Sequence, residues 1–136
     1  MIAVDSSVVI PLLCIWHEFH ERAAIALQTR KKLLLPLPVL NESYSVLTRL
    51  PSPYRVQGSV AYQSLHRSFS DASIATLPAD KAWSFLDDVQ VAGITGGRIY
   101  DALIAAIAIE AGAKELITFN PRHFEPFSDR IRLTIP

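Results

Sequence analysis

Apolar residues fall along this chain in short blocks whose spacing switches repeatedly between that of a strand and that of a helix. Ile2 to Val4 is a very short apolar run that ends in Asp5-Ser6-Ser7, after which Val8, Val9, Leu12 and Leu13 recur at the spacing of a buried helix face. The pattern predicts strand, polar turn, helix. A second helix is expected over residues 18–29, and Leu33-Leu34-Leu35 before Pro36 predicts another buried strand. Pro38 suits the opening of a helix. From there Val39, Leu40, Val46, Leu47 and Leu50 return at helical intervals until Pro51-Ser52-Pro53 stops them, with Glu42 at the border of the apolar stripe.

Residues 56–69 are expected to be helical, residues 74–77 a short strand, and residues 80–91 a helix carrying Trp83, Leu86 and Val89 at helical intervals. A glycine-rich loop, residues 93–97, precedes residues 98–111, which are apolar on nearly every face. That composition predicts a central buried helix, with Gly112 as its left-handed C-cap. Residues 115–118 predict a strand that runs into Phe119-Asn120-Pro121, and residues 131–135 predict a final edge strand. Strands alternating with helices imply an α/β fold with a parallel sheet. With no internal repeat, low-complexity tract or linker, residues 1–136 are expected to form a single domain.

Composition narrows the function classes modestly. The chain has 136 residues, half of them hydrophobic, enough for a core without disulfides or metals. Thirteen basic residues balance thirteen acidic ones, so any attraction to phosphate has to come from local patches. The one cysteine, Cys14, lies in an apolar run and is expected in the core. No apolar run approaches the roughly 20 residues that span a bilayer, and the N-terminus has neither a basic start nor a small-residue cleavage pattern. A cytoplasmic protein without membrane contact is the expectation.

In parallel α/β sheets, ligands bind at the carboxyl ends of the strands. Asp5 ends the first predicted strand, Asp101 lies in the first turn of the buried helix, Asn120 follows the strand ending near Thr118, and Glu42 occupies the early turns of the helix after the second strand. Each has a plain alternative: Asp5 as an N-cap, Asp101 as a favourable charge on the helix dipole, Glu42 as a solvated residue, Asn120 as a turn residue. Their combination is more informative. Asp101 opens a helix too apolar for the surface, where an unpaired charge costs several kcal/mol, on the order of the desolvation penalty, and no Lys or Arg stands at a partner position within that helix. Clustered hard oxygen donors with few cations point to a bound Mg²⁺ or Mn²⁺.

Ile2-Ala-Val-Asp5-Ser-Ser-Val-Val-Ile, Leu40-Asn-Glu42-Ser-Tyr, Ile99-Tyr-Asp101-Ala-Leu-Ile-Ala-Ala and Leu116-Ile-Thr118-Phe-Asn120-Pro-Arg-His-Phe124 stand in the order and spacing of PIN domains. The chain most resembles the VapC-type toxins of toxin–antitoxin pairs. The resemblance implies a three-layer α/β/α sandwich with a central, mostly parallel sheet. It also implies a metal-dependent endoribonuclease, a type II toxin with a small antitoxin as partner, and a homodimer. Carried onto this chain, it makes Asp5, Glu42 and Asp101 the metal-site acids, Asn120 the fourth catalytic position, and Ser7 and Thr118 hydrogen-bonding supports. Many relatives carry Asp where this chain has Asn120. Arg98 and Arg122 flank the late site residues as candidates for contact with RNA phosphates.

Other patterns lead elsewhere. His17-Glu18-Phe19-His20-Glu21 lacks the second histidine that the zinc-protease motif H-E-x-x-H requires, and residues 93–97 fit neither the dinucleotide nor the P-loop glycine spacing. Lys31-Lys32 reads as a solvated turn. Two rival readings stand beside the nuclease: a PIN-like scaffold with a weakened site that binds protein or RNA, which Asn120 favours, and a receiver-like signalling domain. The receiver would need paired early acids and a late lysine at a strand end.

Overall fold

The computed structural model describes residues 1–136. Five short strands and seven helices follow one another as β1 (Ile2–Val4), α1 (Ser6–Leu13), α2 (His20–Gln28), β2 (Leu33–Pro36), α3 (Leu37–Thr48), α4 (Gly58–Phe69), β3 (Ser73–Ala75), α5 (Ala82–Val91), α6 (Arg98–Glu110), β4 (Glu115–Ile117), α7 (Pro121–Phe124) and β5 (Arg132–Thr134). Single 3₁₀ turns precede α5 and follow α7.

All five strands are parallel, in the order β3-β2-β1-β4-β5, so the sheet is more uniform than the mostly parallel one expected. Ala3, Val4, Leu34, Leu35, Leu116 and Ile117 are buried at successive positions rather than alternate ones. Helices covering both faces of a parallel sheet produce that run of burial. With right-handed crossovers, the connections from β1 to β3 lay α1–α4 on one face, and the return across the sheet lays α5–α7 on the other. The packing agrees: α1 meets α2 and α3, α3 meets α4, and α6 meets α5 and α7. The result is the three-layer α/β/α sandwich. Chain direction across the sheet reverses between the neighbouring strands β1 and β4, and such a switch point opens a crevice beyond the strands' carboxyl ends.

Sequence patterning located every element except α7, a single turn over Pro121–Phe124 that is too short to show a period, and misjudged several ends. The third helix stops at Thr48, three residues before Pro51, while α4 starts at Gly58 and not at Val56, whose N–H bonds back to the Leu47 carbonyl. The third strand is centred on Ile74 and excludes Thr76 and Leu77. Gly112 has φ +83°, the left-handed cap expected for α6. The largest difference lies in α5, where Val89 is buried but Trp83 stands 83% exposed. Helical periodicity places an apolar face, and it does not say whether the same chain covers it.

Candidate metal centre and active site

Asp5 is the first residue past β1, at the N-cap position of α1, yet its side chain makes no capping bond. Its carboxylate turns across the switch point to β4. Oδ2 accepts hydrogen bonds from Ser7 Oγ at 2.7 Å and from Thr118 Oγ1 at 2.9 Å. Each hydroxyl also accepts a backbone N–H from the loop after β4: Phe119 to Ser7 Oγ and Asn120 to Thr118 Oγ1, both at 2.9 Å. A hydroxyl has a single hydrogen, so donation to Asp5 uses it, and the 3.2 Å separation between the two hydroxyls is contact rather than a further bond. Oδ1 keeps only a 3.5 Å contact from Ser6 Oγ and is the oxygen left for a ligand.

Asp5, Glu42, Asp101 and Asn120 line one cavity of about 470 Å³, together with His123 and Tyr100. Glu42 reaches it from the second turn of α3 and is exposed, whereas Asp5 is buried. Asp101 sits in the first turn of α6, half-buried. Burial pushes its carboxyl above the usual range, and the charges of Asp5 and Glu42 push the same way, against the opposing pull of His123 and Arg98.

Asp101 meets His123, whose Nδ1 lies 3.3 Å from Oδ2, and Arg98, one turn earlier on α6, also acts on it, which corrects the expectation that this helix holds no cation at a partner position. His123 rides on α7, three residues after Asn120. Only the packing of α7 against α6 brings the two together, and the nearest sequence signal was its place in the Asn-Pro-Arg-His run. Arg98 and Arg122 are both exposed, and neither lines the acidic cavity; Arg98, at the start of α6, lies near enough to act on Asp101.

The donors facing the cavity are carboxylate and amide oxygens, the set that suits Mg²⁺ or Mn²⁺ rather than zinc. No three His, Cys, Asp or Glu side chains close into a preformed ligand cage. An open acidic cavity is consistent with Mg²⁺, which keeps several of its waters and takes only one or two carboxylates directly. The mutual repulsion of the acids also favours a cation there.

Residues 2–127 match the family model described as PIN domain. This chain is a PIN domain. Ribonuclease VapC40 of Mycobacterium tuberculosis is 37% identical over 135 residues, covering 99% of this chain and 97% of that protein. Ribonuclease VapC27 of the same organism is 38% identical over 122 residues, covering 89% and 85%. Among solved structures, the PIN fold of this chain matches Mycobacterium tuberculosis VapC20, described as a sarcin-ricin loop cleaving toxin, with TM-score 0.75 at 17% identity over 93% of this chain and 95% of that one. It also matches VapBC2 of Rickettsia felis bound to a promoter DNA fragment, with TM-score 0.70 at 18% identity over 100% and 99%. At such identities the structural likeness speaks for the fold, and the family assignment rests on the sequence matches.

Two other expectations meet the structure here. Cys14 is buried and burial pushes its thiol up, away from reactivity. Neither histidine of the 17–21 segment faces the acids: His17 Nδ1 accepts the Phe19 N–H, and His20 Nδ1 bonds to the Pro11 carbonyl. No helix is long and apolar enough to cross a membrane.

Proposed function

We propose that this PIN domain is a divalent-metal-dependent endoribonuclease, the toxin of a type II toxin–antitoxin pair, acting in the cytoplasm. The observation that carries the reading is the Asp5 carboxylate, pinned through Oδ2 by Ser7 and Thr118 while Oδ1 keeps only a 3.5 Å contact, in a residue that lines one cavity with Glu42, Asp101 and Asn120. Relatives at 37–38% identity that carry the name ribonuclease support the same activity.

Asp5, Glu42 and Asp101 would hold the cation, with the Asn120 side-chain oxygen as a neutral fourth donor. A bound Mg²⁺ or Mn²⁺ supplies a Lewis acid that lowers the pKa of water and offsets charge developing on phosphate oxygens. The chain's own part is positional. Two hydroxyl donors fix the Asp5 carboxylate in rotation. His123 holds one oxygen of Asp101. Arg98, near enough to act on Asp101, and Arg122, two residues past Asn120, would meet phosphates on either side of the cut bond.

A small antitoxin and a second copy of the chain are the proposed protein partners, on the family resemblance and on two uncovered apolar surfaces. One is a groove between α3 and α4 lined by Leu40, Tyr44, Tyr62, Leu65 and Phe69; the other is the α5 face of Trp83, Leu86 and Val91. Asn120 favours one competing reading, a scaffold that binds RNA or protein without cutting. Incubating the purified chain with end-labelled RNA separates the two. Cleavage in Mn²⁺ or Mg²⁺ that EDTA stops and Asp101→Asn abolishes supports the nuclease, and intact RNA under all conditions contradicts it.

A further inference from the structure

Beside the acidic cavity lies a second one, of about 300 Å³, with no acidic residue in its lining. Ile10, His17, Phe19 and Phe119 form its walls, and it shares Ser6 and Asn120 with the acidic cavity. Phe19 and Phe119 stack on each other, with centroids 4.7 Å apart and planes at 18°. The Arg22 guanidinium lies 5.1 Å from both ring centres and is held by the Pro136 carbonyl. From Phe19 the rings continue outward through His17 at 5.7 Å and Trp16 at 5.8 Å to Tyr54 at 4.4 Å. Trp16 and Tyr54 are each about half exposed.

These rings are held in place rather than loosely displayed. His17 Nδ1 accepts the Phe19 N–H at 3.0 Å, which fixes the imidazole plane and leaves Nε2 as its outward donor. Phe119 is tied through its own N–H to Ser7 Oγ, the hydroxyl that also orients Asp5. One end of the ring series is therefore anchored to the same hydrogen-bond network as the proposed metal site. Flat apolar rings with a cation over them and a neighbouring site for a phosphodiester make the arrangement by which proteins grip single-stranded nucleic acid, since every base offers a π-face.

We propose that Phe19, Phe119 and His17 form a subsite that takes an unpaired nucleobase of the RNA, immediately next to the bond being cut, with Trp16 and Tyr54 extending the stacking surface to the following nucleotides. The inference rests on the ribonuclease reading for which bond is cut, and on the geometry of the rings for how the strand is held. It makes the site selective for unstacked strands. A base still inside a duplex cannot enter a cavity of this size with its partner attached.

The test uses single-stranded RNA oligonucleotides with one cut site, in Mn²⁺, and wild type beside Phe119→Leu, His17→Ala and Trp16→Ala. Each variant should raise KM for RNA about tenfold, the loss expected of one stacked base. An abasic residue at one position beside the cut should cost wild type the same factor and cost Phe119→Leu nothing more. Full additivity of the two losses, or unchanged KM in all three variants, overturns the subsite. Binding is read separately in EDTA, from quenching of Trp16 fluorescence by RNA in a Trp83→Phe background. Quenching by uncut RNA that Phe119→Leu weakens about tenfold supports the subsite even where no cleavage occurs, and no quenching overturns it. Trp16 and Tyr54 are exposed, so Trp16→Ala and Tyr54→Ala keep the test valid where Phe119→Leu lowers the melting temperature. Variants that keep RNA affinity and instead lose self-association or antitoxin binding would make this a protein surface and overturn the proposal.

Discussion

Both hydrogen bonds to Asp5 Oδ2 come from hydroxyls that are themselves positioned by the loop after β4, so one carboxylate couples β1, α1 and the Asn120 turn. Thr118→Val keeps the shape, removes a donor to a buried charge and strands the Asn120 N–H. It should destabilise the fold by about 1.5–3 kcal/mol, the usual worth of a hydrogen bond to a charged group. Urea unfolding measures this, and a loss under about 0.5 kcal/mol, within the range of an ordinary surface change, would mean that Thr118 does not hold Asp5. At this scale the sequence was legible where a residue's role depends on its place in an element. Asp5 after a strand and Asp101 at the head of an apolar helix are such cases. His123 was not legible, because its contact with Asp101 exists only after α7 packs on α6. Sequence left Asp5 open between cap and ligand, and the rotamer, which faces Thr118, excludes the cap.

Among the elements, β4 carries polar groups past both ends of a buried run, and the two ends behave differently. Toward the carboxyl end the chain leads to the acidic cavity. At the amino end Glu115 is buried beside Arg30, with contacts of 3.4 Å, and Arg132 of β5 at 2.8 Å. Burial alone would push the Glu115 carboxyl up, but hydrogen bonds from Arg132 and Thr134 and the charges of the two arginines hold it below the usual carboxylate range. A depressed folded-state value means stability present above the unfolded value, about 4.3 for glutamate, and lost as pH falls through the folded one. Wild type should therefore lose stability from about pH 5 downward more steeply than Glu115→Gln, which should be less stable at pH 7. Parallel denaturant titrations between those conditions check it, and identical pH slopes would contradict the assignment. Arg132 is largely exposed, so solvent screening trims its share. Nothing in the sequence singled out this cluster, since Glu115 reads simply as the first residue of a strand. Periodicity nonetheless located eleven of the twelve elements and missed the single-turn α7, and it failed at element ends, where Leu47 to Val56 are governed by loop hydrogen bonds rather than by apolar spacing.

For the whole molecule, strand order creates the site. β1 and β4 are neighbours at the switch point, which sets residues 5 and 118–120 side by side, and α3 and α6 bring Glu42 and Asp101 to the same crevice. Alternation of elements predicted the parallel sheet, while the order of its strands came from tertiary packing that no local pattern encodes. Bringing three acids together without a cage of cations leaves the metal-free fold strained by repulsion. Saturating Mn²⁺ should raise the melting temperature by several degrees and EDTA should reverse it, since a ligand that binds only the native state stabilises by mass action. Trp83, Leu86 and Val91 project from α5 on an uncovered face, and light scattering should give twice the monomer mass, returning toward the monomer in Trp83→Ser. A monomer at high micromolar concentration would count against that dimer.

Calorimetric titration with Mn²⁺, run beside single-turnover cleavage of a labelled RNA on the same samples, tests the acidic cavity as the metal-dependent cutting site most directly. Asp5→Asn and Asp101→Asn should each lose metal affinity and cleavage together, by at least a hundredfold in rate. Asn120→Asp, which adds a hard anionic donor at nearly constant size, should bind Mn²⁺ more tightly than wild type, and Asn120→Ala more weakly. Wild-type affinity and wild-type rate in both Asp5→Asn and Asp101→Asn would contradict the account.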